Sequence, residues 1–300
     1  MDSVKSARFK RHAPRWALDT ADIATRAMAL ATVGDRPFPD FLVIGTKRGG
    51  TTSLFNYLTQ HPGILGMYPQ LRGKKSTDFY FADNTQSQLW YKSHFHTETY
   101  RKVLGRKLGH RPLSLEASPY YIWDPRIPVA VSKLAPSTRA IVLLRDPIKR
   151  AWSHYQERFQ NGVESLPFDQ ALEAEDQRLA GELDKMLNDH TYHSNAWDWY
   201  SYRSRGEYLN QIKTWEQHFP REQLLVLFSE DLYANTQGTV DRVCTFLDIP
   251  TFSLPTTRTY NATWRTTARA PKDESAWLRE HYSPINDALA THLGQPLPWE

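Results

Sequence analysis

The sequence predicts an α/β chain: a single domain with a central parallel β-sheet flanked by helices, built on a P-loop-like turn. Three observations predict it. Continuous apolar runs, such as Phe41-Leu42-Val43-Ile44 and the stretch from Thr138 to Leu144, have the length of buried strands. Helical patterns separate these runs, and strands alternating with helices give a parallel sheet covered on both faces. The first run turns through Gly45-Thr46-Lys47-Arg48-Gly49-Gly50 into Thr51-Thr52-Ser53 and a helical pattern carried by Leu54, Tyr57 and Leu58. Strand, glycine-rich turn and helix start make an anion site, because first-turn N–H groups point at the ligand and the helix dipole favours negative charge there.

Composition sets the bounds. A chain of 300 residues has room for one large domain with a substantial core. Its net charge of +4 suits an anionic ligand but is no nucleic-acid signature, and no nucleic-acid partner is expected. Cys244 is the one cysteine, so no intrachain disulfide can form. No run of about 18 apolar residues is present, and a membrane span is not expected. The N-terminus lacks the compact apolar core of a signal peptide, which makes a reducing cytoplasm the expected location.

Residues 1–35 read as an extension to a domain spanning 36–300. Lys5, Arg8, Lys10, Arg11 and Arg15 make its start basic, and an alanine-rich helical pattern follows from Trp16 to Val33. It docks on the domain, touches an acidic membrane surface peripherally, or pairs subunits. The first helix of the domain is expected over 50–60, ending at His61-Pro62-Gly63. A basic cluster, Arg72, Lys74 and Lys75, precedes the aromatic run Phe79-Tyr80-Phe81. Leu113 to Ser118 reads as a second strand, Pro125 to Leu134 as a helix, and the third strand, Thr138 to Leu144, delivers Arg145-Asp146-Pro147 at its carboxyl end. The next helix carries Arg150, Ser153 and Tyr155, so Arg145 and Ser153 can meet on one anion beyond the strand tips. An ion pair with Asp146 is the alternative for Arg145.

Phe168 to Leu187 reads as one acidic amphipathic helix. Asn188 to Arg205 is polar and aromatic without regular periodicity, and includes Trp197 and Tyr202. It is either a substrate-facing loop or a surface excursion pinned by its own aromatics. A helix over 207–219, a fourth strand over 223–228 and a helix over 236–247 follow. The aperiodic stretch from Pro250 to Pro271 holds Arg258, Arg265 and Arg269, placed to fold over a bound nucleotide, and a final helix runs from Glu274 to Leu293.

The turn departs from a nucleoside-triphosphate P-loop in one respect. Gly45 and Gly50 have its spacing, but Thr51 stands where the lysine that reaches the β/γ-phosphates belongs. The cations, Lys47 and Arg48, lie before the second glycine. Such a loop suits one 5′-phosphoryl group and its neighbour better than a Mg-bound triphosphate.

These residues together resemble the sulfotransferases that use 3′-phosphoadenosine 5′-phosphosulfate (PAPS), in particular the heparan-sulfate-sulfotransferase-like and bacterial branch. Ile44 to Leu54 looks like the loop that binds the 5′-phosphosulfate, through Lys47, Arg48, Gly49, Gly50, Thr51, Thr52 and Ser53. Leu144 to Tyr155 looks like the 3′-phosphate segment, in which the resemblance assigns the phosphate to Arg145 and Ser153, with Arg265 or Arg269 closing over it. Glu116-Ala117-Ser118-Pro119-Tyr120-Tyr121, Gly206-Glu207-Tyr208 to Trp215, and the ending with Tyr282, Pro284, Asn286 and Trp299 match further family patterns in order.

The resemblance implies a P-loop-like sulfotransferase fold, PAPS as cofactor without a metal, and sulfuryl transfer to a hydroxyl, less readily an amine, of a carbohydrate, glycolipid or small-metabolite acceptor. Arg48, with Lys47 in reserve, would stabilise the charge on the departing phosphate oxygen. The family often reads Lys-Glu-x-His-Phe-Phe on the acceptor side, with the glutamate as base; here the chain reads Lys75-Ser76-Thr77-Asp78-Phe79-Tyr80, which leaves Asp78 and Glu116 as the candidate bases. Lys75, Tyr80, Trp197 and Tyr202 are the candidate acceptor contacts. A P-loop nucleotide kinase and a non-catalytic PAPS-binding protein of the same fold are the alternatives.

Overall fold

The computed structural model describes residues 15–68, 74–81, 84–257 and 271–299. Five strands form its sheet: β1 (Phe41–Gly45), β2 (Ile64–Leu65), β3 (Leu113–Ala117), β4 (Arg139–Leu144) and β5 (Leu224–Phe228). They lie in the order β2-β3-β1-β4-β5, all parallel. The two-residue β2 has no sequence signal of its own; it exists because Ile64 and Leu65 run beside Leu113 and Ser114.

β1 reads as an unbroken apolar run because helices cover both its faces. Phe41 and Val43 pack with Leu54, Ile141, Leu143 and Val240 on one side. Leu42 and Ile44 pack with Val142, Tyr208, Trp215 and Phe228 on the other. The chain first builds the β1-β3-β2 flank and then crosses β1 to place β4. The loops leaving β1 and β4 therefore flank the switch point where open α/β sheets bind ligands.

Two helices matter most for the site. Thr51–Leu58 follows β1, and Pro147–Gln160 follows β4. Asp146 starts the second by accepting the Ile148 N–H at 2.9 Å and the Lys149 N–H at 3.3 Å, with Pro147 at a permitted first-turn position.

The expected single helix from Phe168 to Leu187 is instead three: Phe168–Glu173, Glu175–Leu179 and Glu182–Asn188. Glu175 is buried, and its carboxylate accepts the N–H groups of Arg203 at 2.6 Å and Ser204 at 2.8 Å. Gly181, with φ 72, breaks the path again. The aromatic stretch that follows contains a regular element, the helix Asn195–Tyr200, capped where Ser194 Oγ accepts the Trp197 N–H at 3.0 Å.

The N-terminal helix Arg15–Ala31 lies on this body: Arg26 donates to Ser93 Oγ at 3.1 Å and to the Ser93 and Tyr68 carbonyls. Among the described residues no helix is long and apolar enough to cross a membrane.

Candidate functional site

The loop after β1 is held by its own backbone. Thr46 N–H donates to the Leu143 carbonyl at 3.0 Å, and Gly49 N–H returns to the Thr46 carbonyl at 2.8 Å. A Cβ on Gly49 would stand 2.6 Å from the Leu143 carbonyl oxygen, so the turn closes only around a glycine. Gly50 caps the Thr51–Leu58 helix with φ 89, a left-handed conformation that glycine adopts without strain. Ser229 Oγ, at the end of β5, donates to the Gly49 carbonyl and to the Leu144 carbonyl, the latter at 2.9 Å. The N–H groups of Gly50, Thr51 and Thr52 then open the helix with no intrahelical acceptor. The Gly49 N–H, expected among the anion donors, is used inside the turn. Ser53 is buried in the first helical turn.

The two half-sites read from the sequence are joined directly. Arg48 Nε donates to Ser153 Oγ at 2.9 Å, and Arg145 Nη1 donates to the Arg48 carbonyl at 2.9 Å. The Arg145 carbonyl in turn accepts the Tyr208 hydroxyl at 2.7 Å. Asp146, the alternative partner of Arg145, is taken up by the helix start and by Lys149 at 3.1 Å.

Lys47 is buried, with Nζ 3.0 Å from His154 Nε2 and 3.5 Å from Glu157 Oε2, and 5.0 Å from the centroid of the Tyr120 ring. Burial pushes its pKa well below the ordinary lysine range, against the pull of Glu157. Burial and then Lys47 push His154 down as well, so the neutral imidazole accepts from the lysine.

Lys75 lies at the helix start: its Nζ is 3.1 Å from Thr52 Oγ1 and 3.3 Å from Thr51 Oγ1. A cation from another part of the chain thus reaches the residue that replaces the P-loop lysine. Burial lowers the Lys75 pKa to about 8, opposed by Asp78.

The two candidate bases differ sharply. Asp78 is exposed and has a left-handed backbone, φ 56. Its Oδ1 accepts Ser76 Oγ at 2.7 Å and Ser118 Oγ at 3.2 Å. Glu116 is wholly buried, and both its oxygens are occupied by donors from Ser76, Thr77, Tyr91 and Tyr121. An acceptor hydroxyl cannot approach it.

Two proposed acceptor contacts are core residues. Tyr80 is buried against the rings of Phe79, Tyr91 and Tyr121. Tyr202 is buried against Tyr155, with its hydroxyl on Glu164 at 3.0 Å. Trp197 is half-buried and stacks on Trp123 at 4.7 Å.

Arg205, which sequence reading passed over, is buried over the Tyr120 and Trp123 rings and donates to Asp198 at 3.0 Å. No spacing signal could have found it, because its partners are assembled by the fold. Arg72, Arg265 and Arg269 lie outside the described residues. Among the described residues no three His, Cys, Asp or Glu side chains group as metal ligands.

The donor set falls into two groups. One comprises helix-start N–H groups, Thr51, Thr52 and Lys75; the other comprises Arg145 and Ser153, and Arg48 bridges them. This chemistry fits a ligand with two separate anionic groups, as PAPS has.

Known proteins resemble this chain over most of its length. A family described as the sulfotransferase domain matches residues 38–268. Heparan sulfate glucosamine 3-O-sulfotransferase 3B1 from Homo sapiens is 27% identical over 218 residues, covering 72% of this chain and 47% of that protein. The bifunctional heparan sulfate N-deacetylase/N-sulfotransferase of Drosophila melanogaster is 25% identical, covering 79% of this chain and 22% of that protein. The chain therefore spans half or less of the length of these two curated relatives. The crystal structure of a sulfotransferase from Alicyclobacillus acidocaldarius shares the fold, with a TM-score of 0.62 and 23% identity over 87% of this chain and 98% of that one.

Proposed function

Because the chain belongs to the sulfotransferase domain family, matched over residues 38–268, we propose that it transfers a sulfuryl group from PAPS to a hydroxyl of a carbohydrate acceptor. The observation that carries this reading is the Arg48–Ser153 hydrogen bond of 2.9 Å. It links a 5′-phosphosulfate loop on β1 to a 3′-phosphate position after β4, and a nucleotide carrying phosphates at both ends matches that pair of positions. The carbohydrate acceptor is drawn from the relatives named for heparan sulfate.

Bound PAPS would supply an activated sulfuryl group and leave as adenosine 3′,5′-bisphosphate. The chain's own residues divide the remaining work. The N–H groups of Thr51 and Thr52, with Lys75, hold the 5′ end. Arg145 and Ser153 hold the 3′-phosphate and so discriminate against ATP. Arg48 stabilises the charge that grows on the bridging oxygen, and a preorganised donor of this kind contributes about 3–4 kcal/mol. Asp78 takes the proton of the acceptor hydroxyl as its oxygen bonds to sulfur and the bond from sulfur to the phosphate oxygen breaks. Trp197, half-buried beside Trp123, offers the sugar an aromatic edge.

Incubation with radiolabelled PAPS and heparan sulfate tests this directly. Label in the polysaccharide is expected. Label that stays on the nucleotide, together with binding of ATP/Mg as tight as that of adenosine 3′,5′-bisphosphate, would return the site to a kinase-like reading.

A further inference from the structure

We infer that Glu116 is a positioning residue for sulfuryl transfer: through Thr77 it holds the 75–78 segment so that Lys75 stays on the helix start and Asp78 stays beside Ser118. The inference rests on the sulfuryl-transfer reading above and assigns Glu116 a role other than that of base.

The geometry begins with a cost. A buried carboxylate is unfavourable unless its lone pairs are met. Glu116, at the tip of β3, meets five donors. Its Oε1 accepts Thr77 N–H at 2.6 Å, Thr77 Oγ1 at 2.6 Å, Tyr121 hydroxyl at 3.2 Å and Ser76 Oγ at 3.3 Å; its Oε2 accepts the Tyr91 hydroxyl at 2.6 Å. Three of these five come from Ser76 and Thr77, a stretch with no strand or helix of its own.

The neighbouring residues complete the clamp. Ala117 N–H, next along β3, donates to the Lys75 carbonyl at 2.7 Å. Thr77 Oγ1 donates to Glu116 and also accepts the Phe79 N–H at 3.2 Å. That hydroxyl therefore spans Asp78 and closes the turn in which Asp78 takes φ 56. The side-chain contacts of Lys75 and Asp78 are longer but for one. Lys75 reaches the helix through hydrogen bonds of 3.1 and 3.3 Å, and Asp78 accepts Ser76 Oγ at 2.7 Å and Ser118 Oγ at 3.2 Å. The short bonds to Glu116 lie between them and set both.

A purely structural role would confine Glu116 to supporting the Tyr91 and Tyr121 hydroxyls. Thr77→Val separates the two roles, because it removes the threonine hydroxyl, keeps the residue-77 N–H and leaves both tyrosines bonded. Wild type, Thr77→Val, Thr77→Ser and Glu116→Gln are compared by three readouts: kcat and KM with PAPS and heparan sulfate, affinity for adenosine 3′,5′-bisphosphate by calorimetry, and trace acetylation of Lys75 against pH.

Thr77→Val is expected to lower kcat by about tenfold to a hundredfold, the scale of a small misplacement. Melting temperature should stay near wild type, nucleotide affinity should fall as Lys75 leaves the 5′ end, and the acetylation midpoint of Lys75 should rise from about 8 towards an ordinary lysine. Thr77→Ser should recover most of the loss. Glu116→Gln, which keeps one oxygen for Thr77, should lose less than Thr77→Val. An unmoved Lys75 midpoint in Thr77→Val overturns the inference, as does a kcat loss accompanied by a matching loss in melting temperature. If the wild type itself labels no heparan sulfate, the proposed acceptor fails, and the Lys75 midpoint still decides the positioning role.

Discussion

Arg48 Nε donates to Ser153 Oγ at 2.9 Å, although 105 residues separate the two in sequence. The bond makes the charge-bearing loop of β1 and the helix after β4 a single unit, and Arg145 reinforces it through the Arg48 carbonyl. Hydrogen bonds to charged groups contribute about 1.5–3 kcal/mol, so Ser153→Ala should weaken adenosine 3′,5′-bisphosphate binding by about tenfold to a hundredfold. Arg145→Ala should weaken it more, since it also removes a charge. Calorimetry with adenosine 5′-phosphate is the control. That ligand lacks the 3′-phosphate, and Arg145→Ala should leave its affinity close to wild type; an equal loss for both ligands would count against the 3′-phosphate assignment.

The position of Lys75 makes nucleotide binding depend on pH. Burial lowers its pKa to about 8, so the ammonium is largely present below that pH and lost above it. A phosphoryl group beside it favours the charged form and raises its pKa in the complex. Affinity should therefore fall as pH rises through about 8, with proton uptake on binding in that window. Lys75→Arg keeps its charge throughout and should flatten this dependence. Titrations in buffers of different ionisation heat measure the uptake. No uptake in the wild type near pH 8 would remove Lys75 from the anion site.

Gly49 is required for space and Gly109 is not. A Cβ at Gly49 meets the Leu143 carbonyl oxygen at 2.6 Å and the Thr46 carbonyl oxygen at 2.9 Å, whereas one at Gly109 meets nothing within 4 Å. Gly49→Ala should cost about 1–3 kcal/mol, as overpacking does, and should weaken nucleotide binding because the displaced atoms belong to the anion loop. Gly109→Ala should cost only the strain of its φ of 77, about 1–2 kcal/mol, and leave binding intact. Urea unfolding and calorimetry on both variants compare the effects, and equal binding losses would show that the loop tolerates the extra carbon.

The parts of this molecule that were legible in the sequence are those fixed by local pattern. β1 and β4 announce themselves as apolar runs because both their faces are covered, and the loop between Gly45 and Gly50 shows its turn chemistry residue by residue. Long-range packing was not legible. Nothing local indicates that the Lys75 side chain reaches Thr51 and Thr52. Tyr80 and Tyr202 looked like ligand-facing aromatics, and an aromatic that fills a core carries the same letter. The acidic stretch from Phe168 kept helical spacing, yet Glu175 turns inward to the Arg203 and Ser204 N–H groups, which no periodicity reveals. Arg205 was missed for the same reason, since Tyr120 and Trp123 come to it from one distant turn and Asp198 from the helix before it.

The place of the base is the point at which this chain departs furthest from the pattern it resembles. Ser76 stands where that pattern has glutamate, but Asp78 turns back with φ 56 and sets its Oδ1 2.7 Å from Ser76 Oγ. The Asp78 carboxylate thus lies against the side chain that stands at the glutamate position of that pattern. If it is the base, Asp78→Asn should lower kcat by about 10²–10⁴, the range for a general base, while affinity for adenosine 3′,5′-bisphosphate holds. The compensating change then follows from the geometry: adding Ser76→Glu to Asp78→Asn restores a carboxylate close to the same place and should recover part of the lost rate. Single-turnover transfer from PAPS to heparan sulfate reads the chemical step for each variant. Full turnover by Asp78→Asn would show that the proton leaves by another route. A large loss that Ser76→Glu does not relieve would mean that the carboxylate must stand on Ser118 as well as near Ser76, because only Asp78 makes that second contact.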